Sequence, residues 1–309
     1  TIHHLFELMW ATGYTPTCFR HSHTIFLFKK GEHTNPSNYR PLGLNNTLSK
    51  LWTSLVTRVL STYSELNHIL SDAQEGFRPN RNPHNHILNL THDIQDAALH
   101  HQDLYAAYFD FSNAFNMIRH DHLATIMQDL GYTADMVQTV RGIYTNATTS
   151  TLHKGHCGPP IHIGRGTIQG DSLSPLLFII YTEPLHRWLK AGGRGYKQNC
   201  LSPTLQDTHN TSSLGYADDT CTLTGTLADL HAQCTKVHLF SKWAGIPINS
   251  SKCMVTAILH GSNPSNPCHP ASLHKQLHNT IPVIGGESYL EKPSLPYFRL
   301  PALESIDRN

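Results

Sequence analysis

Apolar residues fall at Leu48, Leu51, Trp52, Leu55, Val56, Val59, Leu60 and Tyr63, a spacing of i, i+3, i+4, i+7 and i+8. That period predicts a helix over Thr47–Leu66 with one buried stripe. Residues 24–28 (TIFLF) read as a strand running into a basic loop, KKGEHTNPSNYRP, rich in Gly, Asn and Pro. Residues 104–110 (LYAAYFD) read as a strand ending on an acid. A helical stretch carrying Ile118, Leu123, Ile126, Met127 and Leu130 follows, stopped by Gly131. Ser174 is placed as the cap of a buried helix with Pro175 in its first turn and LLFIIY as its body. SLGYADDTCTLTG reads as a β-hairpin around Ala-Asp-Asp. Thr226 and Asp229 form the capping box of a helix spaced by Leu227, Leu230, Cys234 and Val237 and ended by Gly245. A strand at 253–259 follows, and periodicity is lost beyond His260. No period of 20–50 residues repeats, so a solenoid is not supported.

At 309 residues the chain has room for two compact units or one multi-lobed one with a substantial core. Its longest apolar run, 176–181, is far short of the ~20 residues that cross a bilayer, so no membrane partner is expected. The first residue is Thr1, which suggests a piece of something longer. Charged residues make up only 15 % and His contributes 24, so His, Asn, Ser and Thr dress the surface. The net charge of +1 carries no global nucleic-acid signal, but residues 1–90 hold eight Lys/Arg against five acids. The basic end is the N-terminal one. Seven Cys, odd in number and never spaced as CxxC, read as the reduced thiols of an intracellular protein. His153, His156, Cys157 and His162 lack the second Cys pair of a zinc site, and the His84–His86 HNH triplet is read as chance in so His-rich a chain.

Candidate chemistry begins with Asp110 at a strand end and Asp218–Asp219 at a hairpin tip. Ends of neighbouring strands lie only ~5 Å apart, so three carboxylates can share one small volume. Such a cluster repels itself unless a divalent cation neutralises it, and all-oxygen ligands suit Mg²⁺ or Mn²⁺. Taken alone, the same residues are equally ordinary turn-formers.

The ordered set adds more. KKG…NYRP, QEGFRPNR, YFDFSNAFN, IQGDSLSPLLF, GYADD and GIPINSSK follow one another over about residues 20–260. Their order and spacing resemble the reverse transcriptase of non-LTR (LINE-type) retrotransposons. The resemblance implies an α+β right-hand polymerase fold with fingers and an antiparallel palm sheet. Residues 1–100 would be mainly fingers, 101–260 palm with a fingers insertion at about 131–165, and 261–309 a truncated or divergent primer-grip and thumb start. It implies RNA-directed DNA synthesis, with an RNA template, a DNA primer, deoxynucleoside triphosphates and two Mg²⁺ ions, Mn²⁺ being possible. Asp110, Asp218 and Asp219 would hold the ions, with the Phe111 carbonyl as a further ligand. Lys29 and Arg40 match cations that grip the triphosphate, while Gln169 and Gly170 match a site against the incoming sugar and template base. Phe115 aligns with the aromatic gate against a ribose 2′-hydroxyl, although a core Phe at a helix start fits the sequence as well. Lys252 matches a Lys proposed to protonate pyrophosphate. Gln74, Gly76, Phe77, Arg78 and Arg81 resemble a block that contacts the template backbone. The resemblance also implies a nuclear or ribonucleoprotein-associated location.

Asn113 and Asn116 depart from the family's usual Lys and Asp, and neither is a metal ligand. EKPSLPYFRLPALESIDRN lacks the helical thumb expected after IPVIGGESYL, and no endonuclease block is recognisable. Two rivals stay open: an inactive remnant that binds nucleic acid without extending it, and an RNA-synthesising polymerase, disfavoured by Ala217 and Phe115.

Overall fold

The computed structural model describes residues 1–199 and 209–260. In chain order the helices are α1 (Ile2–Thr12), α2 (Thr47–Leu66), α3 (Pro83–His100), α4 (His120–Asp129), α5 (Ala134–Tyr144), α6 (Leu173–Lys190) and α7 (Leu227–Ala244). The strands are β1 (His21–Phe28), β2 (Tyr39–Leu44), β3 (Leu104–Phe109), β4 (Thr148–His153), β5 (His156–Cys157), β6 (Ile161–His162), β7 (Tyr196–Lys197), β8 (Asn210–Thr211), β9 (Ser213–Tyr216), β10 (Asp219–Thr224) and β11 (Met254–Ile258). One sheet runs β2-β1-β4-β5 with β6 on the side of β4, and its β1–β4 pair is parallel. The other runs β11-β3-β10-β9 and is antiparallel throughout. β7 and β8 form a separate ribbon.

The second sheet is buried on both faces because β3 alternates. Ala107 and Phe109 join the main core, while Leu104 and Ala106 pack with Ala97, Tyr196 and Leu223 on the other side. Helices α7 and α3 cover these two faces. Over residues 176–183 helix α6 is buried around its whole circumference, Leu177, Phe178, Ile179, Ile180 and Tyr181 being fully enclosed, and so serves as the hub between α2, α4 and α7.

Several expected elements form as read. Helix α2 spans Thr47–Leu66, capped by Asn46, whose Oδ1 accepts the Ser49 N–H at 2.7 Å. Thr226 accepts the Asp229 N–H at 3.1 Å and caps α7, which ends on left-handed Gly245. The β9–β10 hairpin surrounds Ala217–Asp218.

Others differ. Only part of the α2 stripe is buried: Trp52, Val56 and Leu60 enter the core, whereas Leu48, Leu51, Leu55 and Val59 lie on the adjoining flank and are exposed. Eight apolar positions make a stripe wider than the neighbouring helices cover. Ser174 is not the cap of α6. The helix starts one residue earlier, Asp171 accepts the Leu173 N–H at 3.0 Å, and the Ser174 hydroxyl donates to the Ile168 carbonyl at 2.8 Å. The end of the basic loop is strand: Arg40 and Pro41 sit in β2 opposite Leu27 and Phe26. The primer-grip and thumb reading of 261–309 lies outside the described residues.

Candidate active site

Strand β3 ends at Phe109 opposite Thr220, so Asp110 emerges beside the Ala217–Asp218 turn. The 246–249 segment straps this end in place. Asn249 N–H donates to the Asp110 carbonyl at 2.8 Å, and Ser112 N–H to Pro247 O at 2.8 Å. Lys252, on the next turn, places Nζ 3.3 and 3.2 Å from the two Asp110 carboxylate oxygens.

Asp110 and Asp218 face one open cavity of about 550 Å³. Burial pushes the Asp218 carboxyl above the usual range, and the charges of Asp219 and Asp110 push the same way against the pull of Lys252. The expected trio is a pair. Asp219 opens β10, is exposed and does not line the cavity, because strand alternation turns it away from Asp218. Among the described residues no three His, Cys, Asp or Glu side chains assemble as a metal cluster. Two carboxylates on a wet cavity nonetheless fit a hard divalent ion, since Mg²⁺ typically takes one or two protein carboxylates and completes its shell with water and substrate phosphates.

The cavity gathers residues from widely separated segments. Lys29 and Arg40 come from the β1–β2 hairpin, Phe111 and Phe115 from the turn after β3, Gln169 and Gly170 from the turn before α6, and Lys252 from the far strap. Both hairpin cations are exposed, and neither has an ion-pair partner among the described residues. Phe115 packs on Phe178 with ring centroids 4.7 Å apart, and its carbonyl accepts the Thr167 N–H at 2.9 Å. Gly170 holds a φ of +101°, a conformation other residues reach only with strain, and a Cβ there would press on the Gly43 carbonyl.

The 74–81 block stands differently from its expected strand contact. Gln74 is fully buried, and Arg78 has a side chain only 3 % exposed. Arg78 donates to both Glu65 carboxylate oxygens at 2.8 and 2.9 Å and to the carbonyls of Ser71 and Gln74 at 2.6 and 3.0 Å. Its donors are spent on the fold, so neither it nor Gln74 reaches a strand in this arrangement. Arg81 is likewise engaged, with Asp72 at 2.7 Å and Glu75 at 2.9 Å. Gly76 lies so close to Ala217 that a Cβ would collide with its backbone nitrogen. Of the block, Phe77 is the half-exposed member, its ring edge-on to Phe115 at 6.4 Å.

Three contributors escaped the sequence reading. Asp171 is buried on the cavity wall, its carboxyl pushed up by burial and held by Leu173 N–H and Asn45 Nδ2. An acid inside IQGDSLSP was the available signal. Gly43 N–H donates to Gln169 O at 2.7 Å, tying β2 to the turn before α6, and Asn249 acts through its backbone, which leaves no signature in a sequence. Ala217 holds a φ of +57°, which costs an ordinary L-residue about 1–2 kcal/mol.

Two carboxylates and the two hairpin cations facing one open cavity suit an anionic substrate handled with a divalent ion. The chain belongs to the reverse transcriptase (RNA-dependent DNA polymerase) family, which it matches over residues 28–280. Among its relatives are polymerase proteins of retrotransposable elements. It is 24 % identical over 251 residues to the Pol polyprotein of the type-2 retrotransposable element R2DM of Drosophila melanogaster, covering 81 % of this chain and 22 % of that protein. It is 23 % identical to the RNA-directed DNA polymerase of the mobile element jockey of the same species, covering 88 % of this chain and 29 % of the relative. The chain thus spans about a quarter of the length of these relatives. Among solved structures, a Candida tropicalis telomerase bound to a fragment of telomeric RNA shares the fold, with a TM-score of 0.57 and 13 % identity over 84 % of this chain and 45 % of that one. No helix among the described residues is long and apolar enough to cross a membrane.

Proposed function

We propose that this chain is the polymerising core of a non-LTR retroelement reverse transcriptase, adding deoxynucleotides to a DNA primer on an RNA template. The observation that carries the proposal is the single cavity on which Lys29, Arg40, Asp110, Phe115, Gln169, Gly170, Asp218 and Lys252 meet, from segments as far apart in sequence as Lys29 and Lys252. In this reading the β1-β2-β4 sheet belongs to the fingers and the β11-β3-β10-β9 sheet is the palm.

Asp110 and Asp218 would hold Mg²⁺ or Mn²⁺, which when bound lowers the pKa of a primer hydroxyl and neutralises charge on the transferring phosphate. The remaining work falls to the protein. Lys29 and Arg40 attract the triphosphate and orient it by charge-assisted hydrogen bonds. Gly170 lets the backbone come close to the incoming sugar, and the Phe115 ring walls off its 2′ side. Lys252 stands within proton-donating range of the Asp110 edge and is suited to protonate the leaving pyrophosphate.

The test is extension of a DNA primer on an RNA template with Mg²⁺, beside Asp110→Asn and Asp218→Asn. Each variant is expected to lose at least ~10³-fold in rate, several kcal/mol of transition-state stabilisation, with RNA affinity within about twofold. RNA binding without extension in the parent chain would replace this reading by that of an inactive nucleic-acid-binding remnant.

A further inference from the structure

We infer that Gln74 is a positioning residue for Asp218, acting on the turn that carries the carboxylate and not on a nucleic-acid strand. The inference rests on the proposed catalytic part of Asp218. The turn is a tight one: Tyr216 pairs with Asp219, leaving Ala217 and Asp218 as the two loop residues. Two-residue hairpin loops prefer Gly, Asn or Asp where φ is positive, yet the residue here is Ala at φ +57°. Left to itself, such a loop would drift toward less strained conformations and carry the Asp218 carboxylate with it.

Gln74 supplies the restraint from outside the hairpin. Its side-chain amide grips both backbone groups of Ala217, Nε2 donating to the carbonyl at 3.1 Å and Oε1 accepting the N–H at 2.9 Å. Oε1 also accepts the Gly76 N–H at 2.8 Å, which fixes the orientation of the amide. The grip is anchored on either side. Gly215 N–H donates to Ala73 O and Glu75 N–H to Gly215 O, at 2.6 and 2.9 Å, so residues 73–75 run as a short parallel partner along β9. Arg78 in turn donates to the Gln74 carbonyl. An amide with one donor and one acceptor arm matches the two backbone groups of a single residue, and Gln offers both without a change of protonation state.

The experiment compares Gln74→Met, which keeps the volume and removes both bonds, with Ala217→Gly, which removes the strain, and with the pair together. Gln74→Met is expected to lower kcat about 10- to 100-fold and raise the Mg²⁺ concentration at half-maximal rate, with nucleotide KM and RNA affinity within twofold. Ala217→Gly should restore the Gln74→Met variant at least fivefold, because glycine adopts the turn unaided. Weakened RNA binding at unchanged kcat would overturn the inference in favour of a strand contact, and so would a double variant no better than Gln74→Met. If Gln74→Met does not fold, a folded and extending double variant supports the inference, and an unfolded one makes Gln74 a core residue. Hydrogen–deuterium exchange over residues 213–220 reads the same restraint without any activity. Faster exchange in Gln74→Met, reversed by Ala217→Gly, upholds the positioning even if the parent extends nothing, a result that would fault the proposed function alone. Unchanged exchange overturns it.

Discussion

Phe115 has a share in two environments. It packs on Phe178 of the core with the rings tilted by 30°, and it also lines the cavity shared with Gln169 and Asp110. A residue with only a packing role would, when shortened, cost stability and leave sugar choice alone. A ring that fills the space beside the 2′-carbon instead strands an incoming hydroxyl without a partner, a loss of about 1–3 kcal/mol, or roughly 5- to 150-fold discrimination. Phe115→Val is therefore expected to raise the relative kcat/KM for ribonucleotides by at least fivefold on one RNA template, with a modest fall for deoxynucleotides. A ratio within twofold of the parent would assign the ring to the core. The sequence offered both readings because an aromatic five residues after Asp110 is visible in one dimension, whereas the stacking partner is 63 residues away. Asp219 shows the same limit from the other side. Adjacent acids are legible as a pair, but which of them faces the cavity depends on the strand's alternation after the turn.

At the scale of elements, the 71–82 segment acts as a brace between α2, α6 and the β9–β10 hairpin. Its keystone is the Arg78–Glu65 pair, in which the guanidinium is buried and the carboxylate still reaches solvent; removing Arg78 also strands the Ser71 and Gln74 carbonyls, at about 1–3 kcal/mol for each buried polar group left unpaired. Arg78→Met should lower the unfolding free energy by about 3 kcal/mol in a denaturant titration. If RNA affinity falls while stability does not, Arg78 belongs to the strand interface after all. His186 of α6 packs beneath Gly215 with Nδ1 3.1 Å from the Ser213 hydroxyl, and complete burial, with His86 nearby, pushes its pKa down to about 4. The imidazole stays neutral in the fold but takes a proton in the unfolded chain near pH 6.5. Stability is thus lost as the pH falls from about 6.5 to 4, by up to about 3 kcal/mol from this group. His186→Asn should flatten that slope while lowering stability at pH 7, and an unaltered slope between pH 7 and 5 would refute the assignment. These braces were hidden from a sequence reading that identified α2 to the residue. Periodicity reports where one face is apolar, but not that Leu48, Leu51, Leu55 and Val59 would stand outside the core or that Arg78 would stand inside it.

Across the whole molecule, the cavity is lined from both large sheets and from the turn before α6. Gly43 N–H to Gln169 O links β2 to the turn before α6, and the parallel β1–β4 pair carries the hairpin above the carboxylates. Of the eight cations in the first 90 residues, Lys29 and Arg40 line the cavity that Asp110 and Asp218 also face, and so set positive charge opposite the two carboxylates. If the hairpin grips the phosphates as proposed, its effect falls on the nucleotide and not on the template. Arg40→Ala is expected to raise nucleotide KM by about 10- to 100-fold, corresponding to about 1.4–2.8 kcal/mol of lost binding, with kcat lowered less and RNA affinity within twofold. Arg40→Lys should recover only part of this, because an ammonium keeps the charge but not the bidentate fork. Raising ionic strength should widen KM for the parent more than for Arg40→Ala, since the exposed guanidinium is what salt screens. Should RNA affinity fall in parallel with an unchanged KM, the hairpin would be gripping the strand, and the division of labour between the two sheets would have to be redrawn.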